Sequence, residues 1–312
     1  MKLSFANNRA RPAEWQERVR SKFLDLIHYD QIPSADWKIL QSHEQQVNGL
    51  LQRRHVVQFG DWEPQPIYEC LPDSSDWNGI TVVSLHGHGD SVFDNPMYDY
   101  LQELPRLGYR CVTPILFGTM ERQTHRVEDR FVTEYCREWI LEADKLGVTL
   151  LALRLLDARL AYQFALSLDG VDSRKTGCAG LSMGGQLALY LAAMETDLPF
   201  SVSAGFLSTF EGSLIRARWC HCYSIRDWAR WFDMPDLAGC IAPRPLLVLK
   251  GDEDPCFTEK NGVLESVKRV QEIYASVGAA ERFQYRTYPG EHWLNSAVAD
   301  QWIREEALRS TQ

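Results

Sequence analysis

This sequence predicts a three-layer α/β fold with a mostly parallel central sheet, and two observations carry the prediction. Short apolar runs, too compact for helices, recur along the chain: ITVVSL (80–85), YRCVTPI (109–115), TGCAG (176–180), FSVSAGF (200–206), PLLVLK (245–250) and FQYRTY (283–288). Runs that are apolar on both faces belong to strands covered on both sides. Between them lie helix-forming stretches such as LLALRLLDARLAYQFALSL (150–168) and QLALYLAAM (186–194). Strands alternating with helices build right-handed βαβ units and hence a parallel sheet with helices on its faces.

Composition agrees. The 312 residues are 45% hydrophobic and 24% charged, as in ordinary globular chains, and no linker divides them into two domains. A net charge of −9 with no basic run argues against a nucleic-acid partner. No stretch is apolar enough for a membrane span, and the N-terminus lacks the apolar core of a signal peptide, so a cytoplasmic protein is expected. The eight scattered cysteines read as reduced, buried thiols rather than a disulfide framework.

Taken in order, residues 12 to 51 are rich in helix formers, with Trp15, Val19, Phe23, Leu26 and Ile27 at helical spacing. An N-terminal helical segment (1–54) packed on the main domain (55–312) is therefore expected. HVVQFGDW and PIYEC, between 55 and 70, alternate apolar and polar residues and predict two half-exposed strands at an antiparallel sheet edge. The parallel units follow, and in such sheets ligands bind outside the carboxyl ends of the strands. The loop after each later strand is thus where chemistry should be sought.

The strongest of these loops is Gly180-Leu181-Ser182-Met183-Gly184, which follows a strand and runs straight into a helix. That context distinguishes a nucleophile elbow from a chance GxSxG. A serine hydroxyl needs a base, and the base needs a carboxylate to fix its tautomer. His292, in YPGEHWLN after the last run, is the one histidine beyond Ser182 that follows a late strand; His221 does not. The loop after PLLVLK supplies Asp252, Glu253 and Asp254, and spacing does not choose between Asp252 and Asp254. A tetrahedral oxyanion requires two preorganised N–H donors. Met183 at the helix N-terminus offers one amide, and His88 in His86-Gly87-His88-Gly89-Asp90 offers the other.

Two patterns have the residue types of a metal site. His86 and His88 lack a carboxylate or cysteine set at ligand spacing, and Cys220-His221-Cys222 lacks a fourth ligand at a recognisable spacing. The former reads as an oxyanion loop and the latter as small thiols packed under Trp219, Trp228 and Trp231. No metal or other cofactor is expected.

With these residues in place, the chain resembles the α/β-hydrolase superfamily and, within it, the dienelactone-hydrolase and acetylxylan-esterase-like group. The resemblance spans about 79–305 and rests on LHGHGD (85–90), GCAGLSMGG (177–185), FLSTF (206–210), FDMPDLAGCIAPRPLLVLKGDEDP (232–255) and YPGEHW (288–293). It implies that the acid is the Asp before Pro, Asp254, and that the residue after His-Gly, His88, gives the second oxyanion amide. It departs from dienelactone hydrolases in having Ser rather than Cys at 182, and from acetylxylan esterases in having His rather than Tyr at 88. The implied activity is serine hydrolysis of small carboxylic esters through an acyl-enzyme on Ser182, with Asp254 and His292 completing the triad. Acyl transfer, peptide cleavage or non-catalytic ligand binding are the alternatives. Residues 117–146, rich in large and charged side chains, are expected to cap the pocket.

Overall fold

The computed structural model describes residues 1–32, 36–72, 76–89, 99–122 and 132–309. Its strands are β1 (Trp37–Val47), β2 (Leu50–Phe59), β3 (Gln65–Leu71), β4 (Thr81–Leu85), β5 (Arg110–Pro114), β6 (Thr176–Leu181), β7 (Ser201–Ala204), β8 (Leu246–Gly251) and β9 (Phe283–Tyr288). They form one sheet in the order β1-β2-β3-β5-β4-β6-β7-β8-β9. From β5 to β9 every neighbouring pair is parallel, while β1, β2 and β3 form an antiparallel meander joined antiparallel to β5.

The helices are α1 (Pro12–Leu26), α2 (Tyr100–Arg106), α3 (Val132–Lys145), α4 (Leu150–Ser167), α5 (Met183–Met194), α6 (Trp228–Trp231), α7 (Met234–Gly239), α8 (Val263–Ser276) and α9 (Ser296–Arg309). Successive strand residues point to opposite faces, so each buried strand feeds two cores. Val83, Cys178 and Val248 pack with α4, α5, α7 and α8, whereas Val82, Ala179 and Leu249 pack with Tyr100, Leu104 and Trp302 from α2 and α9. This is the three-layer arrangement predicted. Helix α4 is buried around almost its whole circumference, which explains a sequence apolar on every side.

The N-terminal segment differs from its expected form. Helix α1 is present and buries Trp15, Val19 and Phe23, with Phe23 edge-on to Tyr190 of α5 at 5.0 Å. Burial of such side chains is worth about 2 kcal/mol each. Residues 37–47, however, are an edge strand rather than helix, and the segment joins the sheet through the Asn48-Gly49 turn. Both faces of β1 are largely in water, so its sequence carries no apolar alternation, and pairing with β2 overrides the helical preference of Lys, Gln and Glu. The antiparallel edge accordingly holds three strands, with β1 outermost.

Of the expected cap segment, 123–131 lies outside the described residues. Helix α3 packs against α4 and against the short 3₁₀ turn His221–Tyr223. Arg122 is buried in a 2.7 Å pair with Asp157, and Trp139 packs edge-on to Phe117.

Candidate active site

Strands β4, β6, β8 and β9 end on one rim of the sheet, and the residues just beyond them supply the site. At the end of β6, Ser182 adopts φ 58°, ψ −117°, a conformation costly for a non-glycine residue and sustained only when its surroundings enforce it. Its N–H donates to Ala204 O at 2.9 Å, and its carbonyl accepts Gln186 N–H at 2.9 Å as α5 begins. The flanking glycines allow the close approach: a Cβ on Gly184 would lie 1.8 Å from Leu85 O, and one on Gly180 would lie 2.3 Å from Gly184 O. Ser182 is therefore held at the head of a helix whose first N–H groups, Met183 among them, have no earlier helical carbonyl to bond.

Beyond β8 and β9, Asp254 and His292 meet, His292 Nδ1–H donating to Asp254 Oδ2 at 2.8 Å. The other carboxylate oxygen accepts the backbone N–H of Cys256 (2.8 Å) and Phe257 (3.0 Å). Burial alone would raise the Asp254 carboxyl, but the His292 hydrogen bond and charge, with those two amides, hold it below the usual carboxylate value. Phe257 stacks on the imidazole with its ring plane within 3° of parallel and a centroid distance of 5.4 Å. The ring is also approached closely by Gly205, where a Cβ would stand 2.8 Å from His292 Cε1. Asp252, by contrast, is exposed, and its N–H is bonded to Tyr288 O. The structure thus pairs Asp254, not Asp252 or Glu253, with His292.

The loop after β4 is anchored by His86, which is fully buried. Its Nε2 accepts the Leu116 N–H at 3.2 Å and its Nδ1–H donates to Gly87 O at 2.8 Å. With both nitrogens engaged, and burial pushing its pKa down to about 4, His86 is a neutral structural residue. His88 lies over the site. Its Nδ1 is 3.1 Å from Tyr223 Oη, and that hydroxyl is 3.4 Å from Ser182 Oγ.

Several contributors were not legible as such in the sequence. Tyr223 and Phe257 sit in loops with no motif. Cys220 and Cys222 are buried thiols in the core against which Trp219, Trp228 and Trp231 pack, as expected, and they also take part in a grouping the sequence did not reveal. His221 points outward, while Cys220 and Cys222 meet Cys136 of α3 and Nε2 of His88, all four ligand atoms lying within 4.8 Å of one another. Hydrogen bonds from Cys220 and Cys222 lower the Cys136 thiol pKa, with the Arg154 charge acting in the same direction. Cys136 lies 84 residues before Cys220, so no local spacing could reveal the set.

Set against known folds, this arrangement is familiar. A Bacteroides fragilis NCTC 9343 protein designated an acetyl xylan esterase superposes with TM-score 0.74 at 14% identity, covering 95% of this chain and 88% of that one. The chain has the α/β-hydrolase fold. The glucuronoyl esterase from Solibacter usitatus matches this hydrolase fold with TM-score 0.65 at 14% identity, over 95% of this chain and 93% of its own. By sequence, YtaP of Bacillus subtilis (strain 168), a protein designated a hydrolase, is 27% identical over 273 residues, 82% of this chain and 86% of that one. No family model matches the chain. Among the described residues no helix is long and apolar enough to cross a membrane.

Proposed function

We propose that this α/β-hydrolase is a serine esterase that cleaves small carboxylic esters, with Ser182 as nucleophile, His292 as base and Asp254 as orienting acid. The observation that carries the reading is a serine at a strained strand-to-helix elbow on the same rim as a buried carboxylate–imidazole pair at 2.8 Å. Asp254 holds the His292 proton on Nδ1, so Nε2 is the nitrogen that accepts a proton. Ser182 Oγ attacks the ester carbonyl as its proton passes to Nε2. The Met183 and His88 amides receive the oxyanion. His292 then returns the proton to the departing alcohol. Water, deprotonated by the same nitrogen, attacks the acyl-enzyme and releases the acid and free Ser182. In the structure the Ser182 hydroxyl contacts Tyr223; its bond to His292 forms as substrate enters, a tightening usual for such sites.

A short acyl group fits best. The rings of Phe206, Trp219, Tyr223 and Phe257 pack on one another near Ser182 and His292, and an acyl group bound against them is expected to be short. An open cleft of about 800 Å³ is lined by His292 and bordered by Asp99, Glu103 and Glu291; we assign the alcohol part to it, and its three carboxylates would disfavour an anionic one. Acetylated sugars meet both conditions, in keeping with the designation of one structural relative as an acetyl xylan esterase. The packing of helix α3 on the turn His221–Tyr223, which carries the tyrosine beside Ser182, supports the capping role assigned to residues 117–146. Eight cysteines without a disulfide fit a cytoplasmic setting.

A fluorophosphonate probe should label wild type but not Ser182→Ala. Ser182→Ala should also lower hydrolysis of p-nitrophenyl acetate by several orders of magnitude, with an unchanged circular dichroism spectrum. Activity that falls steeply from acetyl to octanoyl esters supports the short acyl pocket. Labelling of the folded Ser182→Ala variant would overturn the mechanism.

A further inference from the structure

We propose that Cys136, Cys220, Cys222 and His88 form a structural zinc site, binding one ion through three thiolates and the imidazole Nε2. The case rests first on convergence. Three separate parts of the chain, the loop after β4, helix α3 and the turn before Tyr223, deliver four soft or borderline donors to one place. Their ligand atoms all lie within 4.8 Å of one another, and His88 Nε2 stands 3.1 Å from Cys222 Sγ. Around a tetrahedral zinc with Zn–S bonds of about 2.3 Å, neighbouring sulfurs lie about 3.8 Å apart, so small side-chain adjustments close the shell. Four protein ligands and no open position describe a structural site rather than a catalytic one.

The second observation is electrostatic. Arg154 is 2% exposed, and among the described residues no carboxylate pairs with it; its Nη2 donates to Cys136 Sγ at 3.5 Å and its Nε to Phe117 O at 3.1 Å. A buried guanidinium without an anion is costly. Zinc with three thiolates carries one net negative charge, which Arg154 neutralises. Binding Zn²⁺ releases the three thiol protons to solvent, and no electron is transferred. With Nε2 on the metal, the His88 proton sits on Nδ1 and is donated to Tyr223 Oη at 3.1 Å, the outer-shell bond that metal-bound histidines commonly make.

The test begins with wild type purified under reducing conditions, its metal content measured by mass spectrometry. One zinc per chain is expected. Removing the ion and adding Co²⁺ should give the intense visible bands and thiolate charge-transfer absorption of a tetrahedral site. Cys136→Ser and Cys220→Ser should each weaken zinc retention at least about tenfold, while Cys240→Ser and Cys256→Ser keep one equivalent. Cys256 adjoins Asp254 and His292, so its variant distinguishes this cluster from metal held at the catalytic pair. Folded, reduced wild type that takes up no stoichiometric zinc or cobalt would overturn the proposal without requiring any variant to fold. So would a weak octahedral cobalt spectrum, or zinc retained in full by Cys136→Ser.

Discussion

Replacing Asp254 by Asn changes the direction of one hydrogen bond at nearly constant shape. In the native loop Oδ1 accepts two backbone N–H groups, from Cys256 and Phe257, and Oδ2 accepts the His292 proton. An asparagine keeps its oxygen on the two amides, because its NH₂ group cannot accept there, and so presents that NH₂ to His292. The ring nitrogen facing it must then accept, the proton moves to Nε2, and the base loses its ability to take the Ser182 proton. The expected loss in kcat is on the order of 10⁴, or about 5.5 kcal/mol of transition-state stabilisation. Stability should fall by only about 1 kcal/mol, since the loop bonds survive. Asp252 is exposed and outside this network, so Asp252→Asn should stay within about threefold of wild type. Both variants would be assayed on p-nitrophenyl acetate at one pH, with thermal melts as folding controls. Asp254→Asn keeping more than about a tenth of wild-type turnover, or Asp252→Asn losing more than Asp254→Asn, would refute the tautomer argument.

Other perturbations follow from the same geometry. His86 has its pKa depressed to about 4 by burial. The unfolded chain therefore binds a proton that the folded chain refuses between about pH 6.5 and 4, and stability is lost as pH falls through that window, by about 3 kcal/mol. Denaturant titrations at pH 7 and pH 4 should show this loss, and His86→Gln should reduce it; an unchanged slope would locate the acid sensitivity elsewhere. Gly205→Ala places a methyl 2.8 Å from His292 Cε1 at a residue with φ +54°, and should cost about 10–100-fold in kcat with about 1 kcal/mol of stability. Normal kcat in that variant would mean the imidazole is not confined from that side. Tyr223→Phe removes the hydroxyl between Ser182 and His88 while keeping the ring among Phe206 and Trp219. A fall in kcat/KM of about 5–10-fold is expected, and full activity would show that the hydroxyl has no part in positioning either neighbour.

Ser182 and Asp254 could be found in the sequence because each follows a strand buried on both faces, which leaves an apolar run that local reading recovers, whereas His292 follows the half-exposed edge strand β9 and is found by its position as the histidine after the last strand. Asp254 required more than spacing, and the extended geometry that Pro255 favours at residue 254 is consistent with the observed choice. Strand β1 was misread for the opposite reason. Lying at an edge with water on both sides, it has no apolar period, and the informative signal was the Asn48-Gly49 turn, where both residues take positive φ as a tight hairpin needs. The Cys136–Cys220–Cys222–His88 cluster was hidden because its members are adjacent only after α3 packs on the turn His221–Tyr223. His86, read in sequence as part of an oxyanion loop rather than a metal ligand, is buried with both ring nitrogens committed to backbone.

The order β6-β7-β8-β9 has a consequence for how such a site can diverge. The elbow serine and the acid–base pair are separated by the width of β7, fixed by the ladder bonds of adjacent parallel strands about 4.8 Å apart. The sheet acts as a ruler, and the chain that leaves β7 at 204 and returns at 246 plays no part in setting that distance. This excursion carries Cys220, Cys222 and, of the aromatic rings near the site, Phe206, Trp219 and Tyr223. Beyond Gly205, which lies against His292, it can lengthen, shorten or exchange its side chains while the sheet keeps the spacing of nucleophile and base, so substrate preference can drift under mutation of a segment whose length the chemistry does not sense.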